Sequence, residues 1–494
     1  MRRQLKDKKD CNCYDVGEDK IEYIRARELL VSNRIDLVVK YKYVEAYDKG
    51  MNIPFIRDLY YAHLEAFSGG TFIEPGKENT KRSYQDYIDT FNTLIESIKK
   101  NGIKKELSVI PVGRNNTIIN GSHRVAIAMY YDLTVPIVRY EELDADYDYN
   151  FFAKGLLDKK YLDYMATEYI RLKKDVFFAC IWSKADKSKN AVIDKMIREC
   201  CDVVYTSSIF LNYQGLRNLM IQIYGHQKWC GNIQNGYKGV LGKVDACYQD
   251  NSETIIYVLD NVSLEKVVNL KNRIRSIYQI QNSSIHISDN SQESLEIAHI
   301  LLNQNSVDLL NYGDICKCKE YISWIQQLGR ELDLLDINRE DFLVDSSGVL
   351  GIYGIRKPSD IDYLTFEKIN NQQFSVNMEE HDKNMKYYLK PKEELIYNPN
   401  NYLFAYGVKF STLPVLYEMK RKRNEKKDIE DCSLIKPYIE KQITCKTKLN
   451  QCKIIFKRKC RNIIRKIKIR IVILLRKINL YNFAKKIYTA IKVR

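Results

Sequence analysis

The chain has 494 residues, of which 45% are apolar, enough for two or three domains with complete cores. Its 79 Lys and Arg exceed its 63 Asp and Glu, giving a formal net charge of +16, but the excess sits at one end: eighteen of the basic residues fall between Lys441 and Arg494, where there is no Asp or Glu. The remainder, 61 basic against 63 acidic residues, is close to neutral, which argues against a nucleic-acid-binding body and for a tail with an anionic partner.

Thirteen Cys are scattered through the chain, with C-x-C pairs at Cys11/Cys13 and Cys316/Cys318 and no paired C-x-x-C. Reduced cytosolic thiols are expected, not a disulfide framework or a zinc site. The opening MRRQLKDKKD has no apolar core, so no secretory leader is expected. The longest uncharged apolar run in the tail is IVILL (471–475), far short of the ~20 residues of a membrane span.

Residues 1–35, charged and mixed, read as helical. RIDLVVKYKYVEAY (34–47) reads as one or two strands. IPFIRDLYYAHLEAFSG (53–69) is a helix stopped at Gly69 and Gly70. SYQDYIDTFNTLIESIKKNG (83–102) is a helix with Tyr87, Phe91, Leu94, Ile95 and Ile98 on one face and Gly102 at its C-terminal cap. LSVIPVG and NTIIN are short strands around the turn RNN, followed by NGSHR, a helix, and the strand VPIVRY. Residues 141–175 form a helical connection. A second α/β block starts at DVFFACIW (175–182), is centred on DFLVDSSGVLGIYGIRKPSDIDYLTF (341–366), and closes with YGVKFSTLPVLYEMKRKRNEKKDIEDCSLI (406–435).

In IINGSHR a strand ends at Ile119, Asn120 and Gly121 turn, and Ser122 is placed to cap the next helix. The free N–H groups and positive dipole end of that helix, with His123 and Arg124 alongside, make an anion cradle suited to a nucleotide phosphate. The competing reading is an ordinary capped turn. The order helix, glycine, strand, turn, strand, G-S-H-R, helix, strand over 83–140 resembles the ParB/sulfiredoxin-like superfamily. The resemblance implies that Asn120, Gly121, Ser122, His123 and Arg124 hold nucleotide phosphates. Ser122 stands where sulfiredoxins carry their catalytic Cys, which excludes that chemistry. The double-Arg ending of ParB is missing and no basic segment follows at 141–175, so DNA is not an expected partner. Phosphoryl transfer to a small hydroxyl compound remains, with Glu45 as the candidate general base.

In GVLGIYGIRKPSDIDYL, Asp360 and Asp362 at i and i+2 share one face of a strand. Two close carboxylates make sense around Mg²⁺, which takes oxygen ligands and bridges to phosphates. Gly354 and Arg356 lie upstream in a turn where backbone and guanidinium reach phosphate oxygens. A solvated strand end is the competing reading. The order G-x-R, Ser359-Asp360-x-Asp362, strand resembles the nucleotidyltransferase superfamily. The later Lys420, Arg423, Lys427, Asp428 and Asp431 fit the helix pair that often follows in that superfamily. The resemblance implies catalysis by Asp360, Asp362 and Arg356, Mg²⁺ on the two aspartates, and nucleotide contacts from Gly354 and Ser359. The first signature serine is missing. Asn398 stands where the third carboxylate is sought, and Glu379, Glu380 and Asp382 fall in a loop. As a whole, NGSHRVAIAMYY, YGIRKPSDIDYL and NPNNYLFAYGVKF resemble uncharacterised proteins associated with bacterial capsule and lipopolysaccharide synthesis.

In RNIIRKIKIRIVILLRKIN (461–479), Ile463, Ile464, Ile467, Ile471, Leu474, Leu475 and Ile478 fall within about a 120° helical arc, with most basic residues outside it and Ile469, Val472 and Ile473 interrupting the other side. A basic helix of this kind lies on an anionic membrane surface, docks on protein, or forms an RNA-binding arm.

The expectation is therefore an α/β (α+β) chain: a ParB/sulfiredoxin-like nucleotide-binding domain (1–145), a helical connection (146–174), a nucleotidyltransferase-like mixed-sheet domain (175–435) and a basic tail (436–494). Its expected activity is nucleotidyl or phosphoryl transfer from ATP or another NTP, with Mg²⁺, to a small sugar- or alditol-like hydroxyl acceptor in surface-polysaccharide synthesis. The alternative is a non-catalytic nucleotide-binding regulator or assembly factor of that pathway. The expected location is cytoplasmic, peripheral on the inner face of the membrane.

Overall fold

The computed structural model describes residues 21–73, 81–103, 109–477 and 480–481. Cys11, Cys13, the start of the strand expected from residue 107, Ile478 and the end of the tail lie outside them. The chain divides into two units, Met1–Leu416 and Tyr417–Arg494, with the boundary inside a helix. The architecture is mixed α+β, with three small sheets in the first unit.

The first sheet takes β1 (Glu22–Arg25), β2 (Ile110–Val112) and β3 (Thr134–Arg139) in the order β1-β3-β2, with β1 antiparallel and β2 parallel to β3. Around it lie α1 (Asp36–Asp48), α2 (Pro54–Ser68), α3 (Tyr84–Asn101) and α4 (Ser122–Tyr130). Local signals set α2 and α3. Pro54 opens α2, and Gly69 closes it at φ 63°. Ser83 and Asp86 form a reciprocal capping box on α3, and Gly102 ends it.

Three expectations fail here. The strand expected at 34–47 is helix α1. Leu37, Val38, Val39, Tyr41, Tyr43 and Val44 are all buried, because α1 is packed against α2 and α4 on different sides. A helix buried on most sides loses its 3.6-residue stripe, and its Val and Tyr content then imitates a strand. Likewise 22–25 is strand, not helix, and NTIIN makes only a single bridge, Ile118 to Val112.

Buried charge ties α1 to the loop before α4. Arg34 and Lys40 both hold the Asp36 carboxylate, Arg34 Nε at 2.9 Å, and Arg34 also donates to the Ile118 carbonyl. Burial would raise the proton affinity of Asp36, but the two cations hold it far below the usual carboxylate range.

After α5 (Tyr149–Lys154) and α6 (Lys159–Leu172), the expected helical connection, come β4 (Phe177–Ile181), α7 (Asn190–Cys200), β5 (Asp202–Ile209), α8 (Tyr213–Tyr224), α9 (Val240–Cys247), β6 (Thr254–Asp260), α10 (Leu264–Tyr278) and β7 (Ile285–Ile287). The strands pair antiparallel in the order β5-β6-β4-β7. The crossover helices α7 and α10 bury Ile193, Ile197, Leu270 and Ile274 against Ala179, Leu259 and Ile285 on one face. This is the connectivity of a split β-α-β plait, interrupted between β5 and β6 by α8 and α9.

Next are α11 (Ser291–Leu301), α12 (Gln304–Tyr312), α13 (Lys319–Leu334), β8 (Phe342–Asp345), α14 (Ser347–Ile352), β9 (Ile361–Thr365), β10 (Met378–Glu380), α15 (Lys392–Tyr397), β11 (Tyr402–Ala405) and β12 (Val408–Ser411). Their mixed sheet runs β10-β9-β8-β12-β11. The stretch 175–411 thus holds two separate sheets. Helix α16 (Leu413–Arg423) spans the unit boundary, and the second unit continues with α17 (Lys426–Ile439) and α18 (Cys445–Lys477).

Replacing Asp36 by Ala leaves Arg34 and Lys40 buried without their carboxylate. The expected loss is about 3–5 kcal/mol in urea denaturation. A change below 1 kcal/mol would show that the triad is not a stabilising contact.

Candidate functional site

The G-S-H-R loop forms where it is expected but with different roles. The residue that caps α4 is Gly121 at φ 91°, and Ser122 is the first helical residue. The Asn120 side chain accepts from the Gly121 N–H at 2.7 Å. No side chain caps the helix, so its first amides keep their donor capacity. Gly121 is required twice over: by its positive φ, and because a Cβ there would stand 2.7 Å from Arg124 Nη2 and 2.8 Å from Ile110 Cδ1. The Arg124 guanidinium therefore lies against the turn. Burial lowers its proton affinity, and no carboxylate pairs with it among the described residues. His123 does not supply charge to the loop. Its Nε2 lies 2.9 Å from the Tyr60 hydroxyl and its ring packs edge-on to Phe91 at 4.5 Å. Burial, with Lys40, Lys81 and His63 nearby, pushes its pKa well below the usual value, so the ring is neutral.

Glu45 is not a base. Lys42, Lys49 at 3.1 Å and Arg171 at 3.9 Å surround its carboxylate and, against the effect of burial, lower its pKa to about 2. A general base working near neutrality needs a pKa near the working pH.

The second site is larger than the sequence indicates. Asp345, the last residue of β8, is fully buried. In the antiparallel β8–β9 pair it lies level with Asp362, and in the parallel β9–β10 pair Asp362 lies level with Glu379. Residues level across neighbouring strands share a face, so Asp345, Asp362 and Glu379 form a row on three adjacent strands. Asp360 stands just before β9, near enough for its charge to act on Asp362, and accepts from the Ser359 hydroxyl at 3.0 Å.

The members of the row differ in state. Ser411 Oγ donates to Asp345 Oδ1 at 2.8 Å, His381 Nδ1 lies 2.9 Å from Oδ2, and the Tyr388 hydroxyl donates to the same oxygen. These contacts outweigh burial and lower the Asp345 pKa. Asp362 is shifted the other way. Burial raises it, Asp360 and Asp345 add to the rise, and His381 and the Ser346 hydroxyl only partly oppose it. A carboxylate raised by its carboxylate neighbours is stabilised by a cation placed among them.

Several expected contributors stand elsewhere. Gly354 is at φ 68° and a Cβ there would meet the Asp314 carbonyl at 2.5 Å, so it packs on the 314–317 turn and faces no phosphate. The largest charge effects on Asp362 come from His381, Asp360 and Asp345, and the Arg356 guanidinium donates to the Lys357 carbonyl at 3.4 Å and also acts on the Cys318 thiol. Ser346 and Ser347 lie between β8 and α14, with Ser346 at φ 53°. Asn398 ends α15, where its Nδ2 donates to Glu394 at 3.0 Å and its Oδ1 accepts from Asn400. Glu379 and Glu380, expected in a loop, belong to β10, with Glu379 paired to Lys383. Asp382 pairs with Lys392 at 2.7 Å. Sequence reasoning missed Asp345, Ser346 and His381; the available signal was an aspartate ending an apolar strand just before Ser-Ser-Gly.

Among the described residues no group of three His, Cys, Asp or Glu is arranged to hold a metal ion. Asp345 is held by three hydrogen-bond partners and Glu379 pairs with Lys383 at the surface, so Asp360 and Asp362 are the carboxylates considered for a cation. Two carboxylates suit Mg²⁺, which keeps water and takes its other ligands from phosphates.

In the second unit, Lys420, Arg423, Asp428 and Asp431 do come together. Lys420 Nζ lies 3.2 Å from Asp428 and 3.0 Å from Asp431, and Arg423 is 2.8 Å from Asp428. They form a buried ion network that Asp431 extends to Arg458 at 2.8 Å, while Lys427 sits against Glu425 at 3.1 Å.

Comparison with known proteins finds no family model, curated protein or solved structure that matches the chain.

Because the folded-state pKa of Asp362 is raised, the folded protein holds its proton more tightly than the unfolded chain does. The residue therefore destabilises the fold above the ordinary carboxylate range and is neutral below it. Asp362→Asn should raise the melting temperature at pH 7 without Mg²⁺ and lose that advantage near pH 3. A lower melting temperature at pH 7 would contradict the assigned environment.

Proposed function

We propose that the chain is a nucleotide-dependent nucleotidyl- or phosphotransferase acting on a small hydroxyl acceptor of the sugar or alditol kind. The observation that carries the reading is the carboxylate row on β8, β9 and β10 with Asp360 beside it. The resemblance of the S-D-x-D segment to the nucleotidyltransferase superfamily supports it, as does the serine turn that precedes α14.

In this reading Asp360 and Asp362 hold Mg²⁺. Bound there, the ion supplies neutralisation of phosphate charge and a template for in-line attack by the acceptor hydroxyl. Asp345, bonded to His381, Tyr388 and Ser411, is the positioning residue that fixes the strand ends. Ser346 orients the Asp362 carboxylate. The uncapped start of α4, Gly121 and Arg124 take nucleotide phosphates in the N-terminal part. ATP and other NTPs fit that chemistry. A regulatory, non-catalytic role is the second reading. It is favoured by the Lys383 pairing of Glu379, which leaves two carboxylates free where three would make a fuller site.

Full-length protein incubated with labelled ATP or CTP, Mg²⁺ and a panel of sugars and alditols tests the enzyme reading. Turnover should need Mg²⁺ and fall at least 100-fold in Asp360→Asn. If Asp360→Asn keeps full turnover, the carboxylate row is not the active site. If wild type binds nucleotide and Mg²⁺ but consumes none, the regulatory reading stands. Arg124→Ala should weaken nucleotide binding by about 1.5–3 kcal/mol in calorimetry, the range for a hydrogen bond to a charged group.

We further propose that the tail lies on an anionic membrane surface at the inner face of the cell membrane, consistent with a substrate of surface-polysaccharide synthesis. Helix α18 is continuous over Cys445–Lys477. Its Arg458 and Arg461 are neutralised by Glu430 and Asp431 of α17 at 2.6–2.8 Å. Further along, Ile463, Ile464, Ile467, Ile471 and Leu474 are each about half exposed. No helix among the described residues is long and apolar enough to cross a membrane. Full-length protein should co-sediment with phosphatidylserine-containing vesicles and not with neutral ones. Truncation after residue 461 should abolish this, and 0.5 M salt should weaken it. Equal binding to both vesicle types would remove the electrostatic basis of the proposal.

A further inference from the structure

The first unit contains a cavity of about 1350 Å³ that neither sequence motif touches. Its wall is built from the α8–α9 excursion, α10, β7, α11, α13 and the β11–β12 turn. It is separate from the carboxylate row. Gly407, on its wall, precedes β12, whereas Ser411, which bonds Asp345, ends that strand; four residues of strand span roughly 13 Å. The volume exceeds the roughly 300–1,000 Å³ of a drug-sized pocket.

One wall is cationic. Lys271 and Arg275 are one turn apart on α10 and so share a face, and Lys243 comes from α9. Lys271 donates to the Ile287 carbonyl at 2.9 Å and lies 3.5 Å from the exposed Asp289. Lys243 donates to the Asn282 carbonyl. Each ammonium keeps donors beyond these. Arg275 is different: its Nε is buried without a partner, and its side chain makes no hydrogen bond or ion pair among the described residues. Burial, together with the nearby Arg275 charge, lowers the proton affinity of Lys243. Two neighbouring cations and a buried, unmet guanidinium N–H are relieved together by one anion.

The rest of the cavity suits hydroxyl groups. Glu296, Asn232 and Gln326 line it. Glu296 accepts from Gln292 on one oxygen and Gln326 donates to Tyr237, which leaves the other Glu296 oxygen and the Gln326 Oε1 to accept from hydroxyls; Asn232 Oδ1 caps Gln234 and Asn235, so its Nδ2 is the group it offers. Trp229, 47% exposed, offers an aromatic face. Inorganic phosphate alone uses only the cationic wall, whereas a phosphorylated sugar uses the whole lining.

We propose that this cavity is a binding site for a phosphorylated sugar, a glycosyl phosphate or nucleoside-diphosphate sugar, with its phosphate among Lys243, Lys271 and Arg275 and its hydroxyl-bearing body toward Glu296, Asn232, Gln326 and Trp229. The inference goes beyond the transferase reading and does not depend on it.

Titration calorimetry and tryptophan fluorescence on full-length protein test it. The probes are glucose 1-phosphate, UDP-glucose and inorganic phosphate, in EDTA so that Mg²⁺ plays no part. Saturable binding of at least one sugar probe, tighter than inorganic phosphate, is expected. Arg275→Gln should weaken it at least tenfold, and Arg275→Lys by less. Asp362→Asn should leave it unchanged, which separates this site from the carboxylate row. Removing an unpartnered arginine should not lower the melting temperature; should Arg275→Gln nevertheless fail to fold, Lys243→Met carries the same tenfold expectation. Trp229→Phe should abolish any ligand-induced fluorescence change. The proposal is overturned if no probe binds, if phosphate binds as tightly as the sugars, or if the cation variants bind like wild type.

Discussion

A single buried carboxylate organises the C-terminal sheet of the first unit. Asp345 has no solvent contact, yet it is ionised, because three donors reach it: Ser411 from β12, His381 from just after β10, and Tyr388 beyond that. A charge in that position is tolerated only with its partners in place, so the donors and the strands that carry them are fixed relative to β8. Fixing them sets the register in which Asp362 and Glu379 continue the row. The same contact separates the two central acids electrostatically. Asp345 is driven down by its donors, and Asp362 is driven up by burial and by the charges beside it. Neighbouring acids pushed in opposite directions are a frequent mark of a functional site.

Elsewhere the molecule draws the same line between closed and open charge. Arg34, Asp36 and Lys40 balance one another under the G-S-H-R loop. Lys420, Arg423, Asp428 and Asp431 do so in the second unit. These groups hold elements together and have little left to offer a ligand. Arg124, Arg275 and Asp362 are of the other kind: partly or largely desolvated, and without the opposite charge that would compensate them. Such residues cost stability in the ligand-free protein, and a ligand of the right charge recovers it. The positions where the fold is electrostatically incomplete are therefore where the proposed ligands are placed: phosphate at Arg124, Mg²⁺ at Asp362, phosphate again at Arg275.

Local chemistry made some parts of this protein legible from its sequence. Ser83 with Asp86, Pro54, Gly69 and Gly102 mark helix ends whatever surrounds them, because caps answer to backbone groups a few residues away. The strand at 134–139 and the Asp360–Asp362 pair follow equally from short-range pattern. The concentration of positive charge after Lys441 needs no structure at all. What the sequence left open depended on neighbours distant in the chain. Helix α1 was hidden because packing on several sides erased its period, and the split β-α-β plait because strand order leaves no mark on composition. His123 looked like a phosphate donor until Tyr60 and Phe91 enclosed its ring. Gly354 adjoins the aspartates in sequence, yet it packs on the turn at 314–317 in space. Glu379 lies on a three-residue strand too short to give a signal, and only pairing with β9 carries it beside Asp362. Helix caps and helical hydrogen bonds are decided within a few residues, so sequence alone determined the capped helices α2 and α3. The meeting of Asp345, Asp362 and Glu379 requires three strands in one register, and that only the tertiary structure decided.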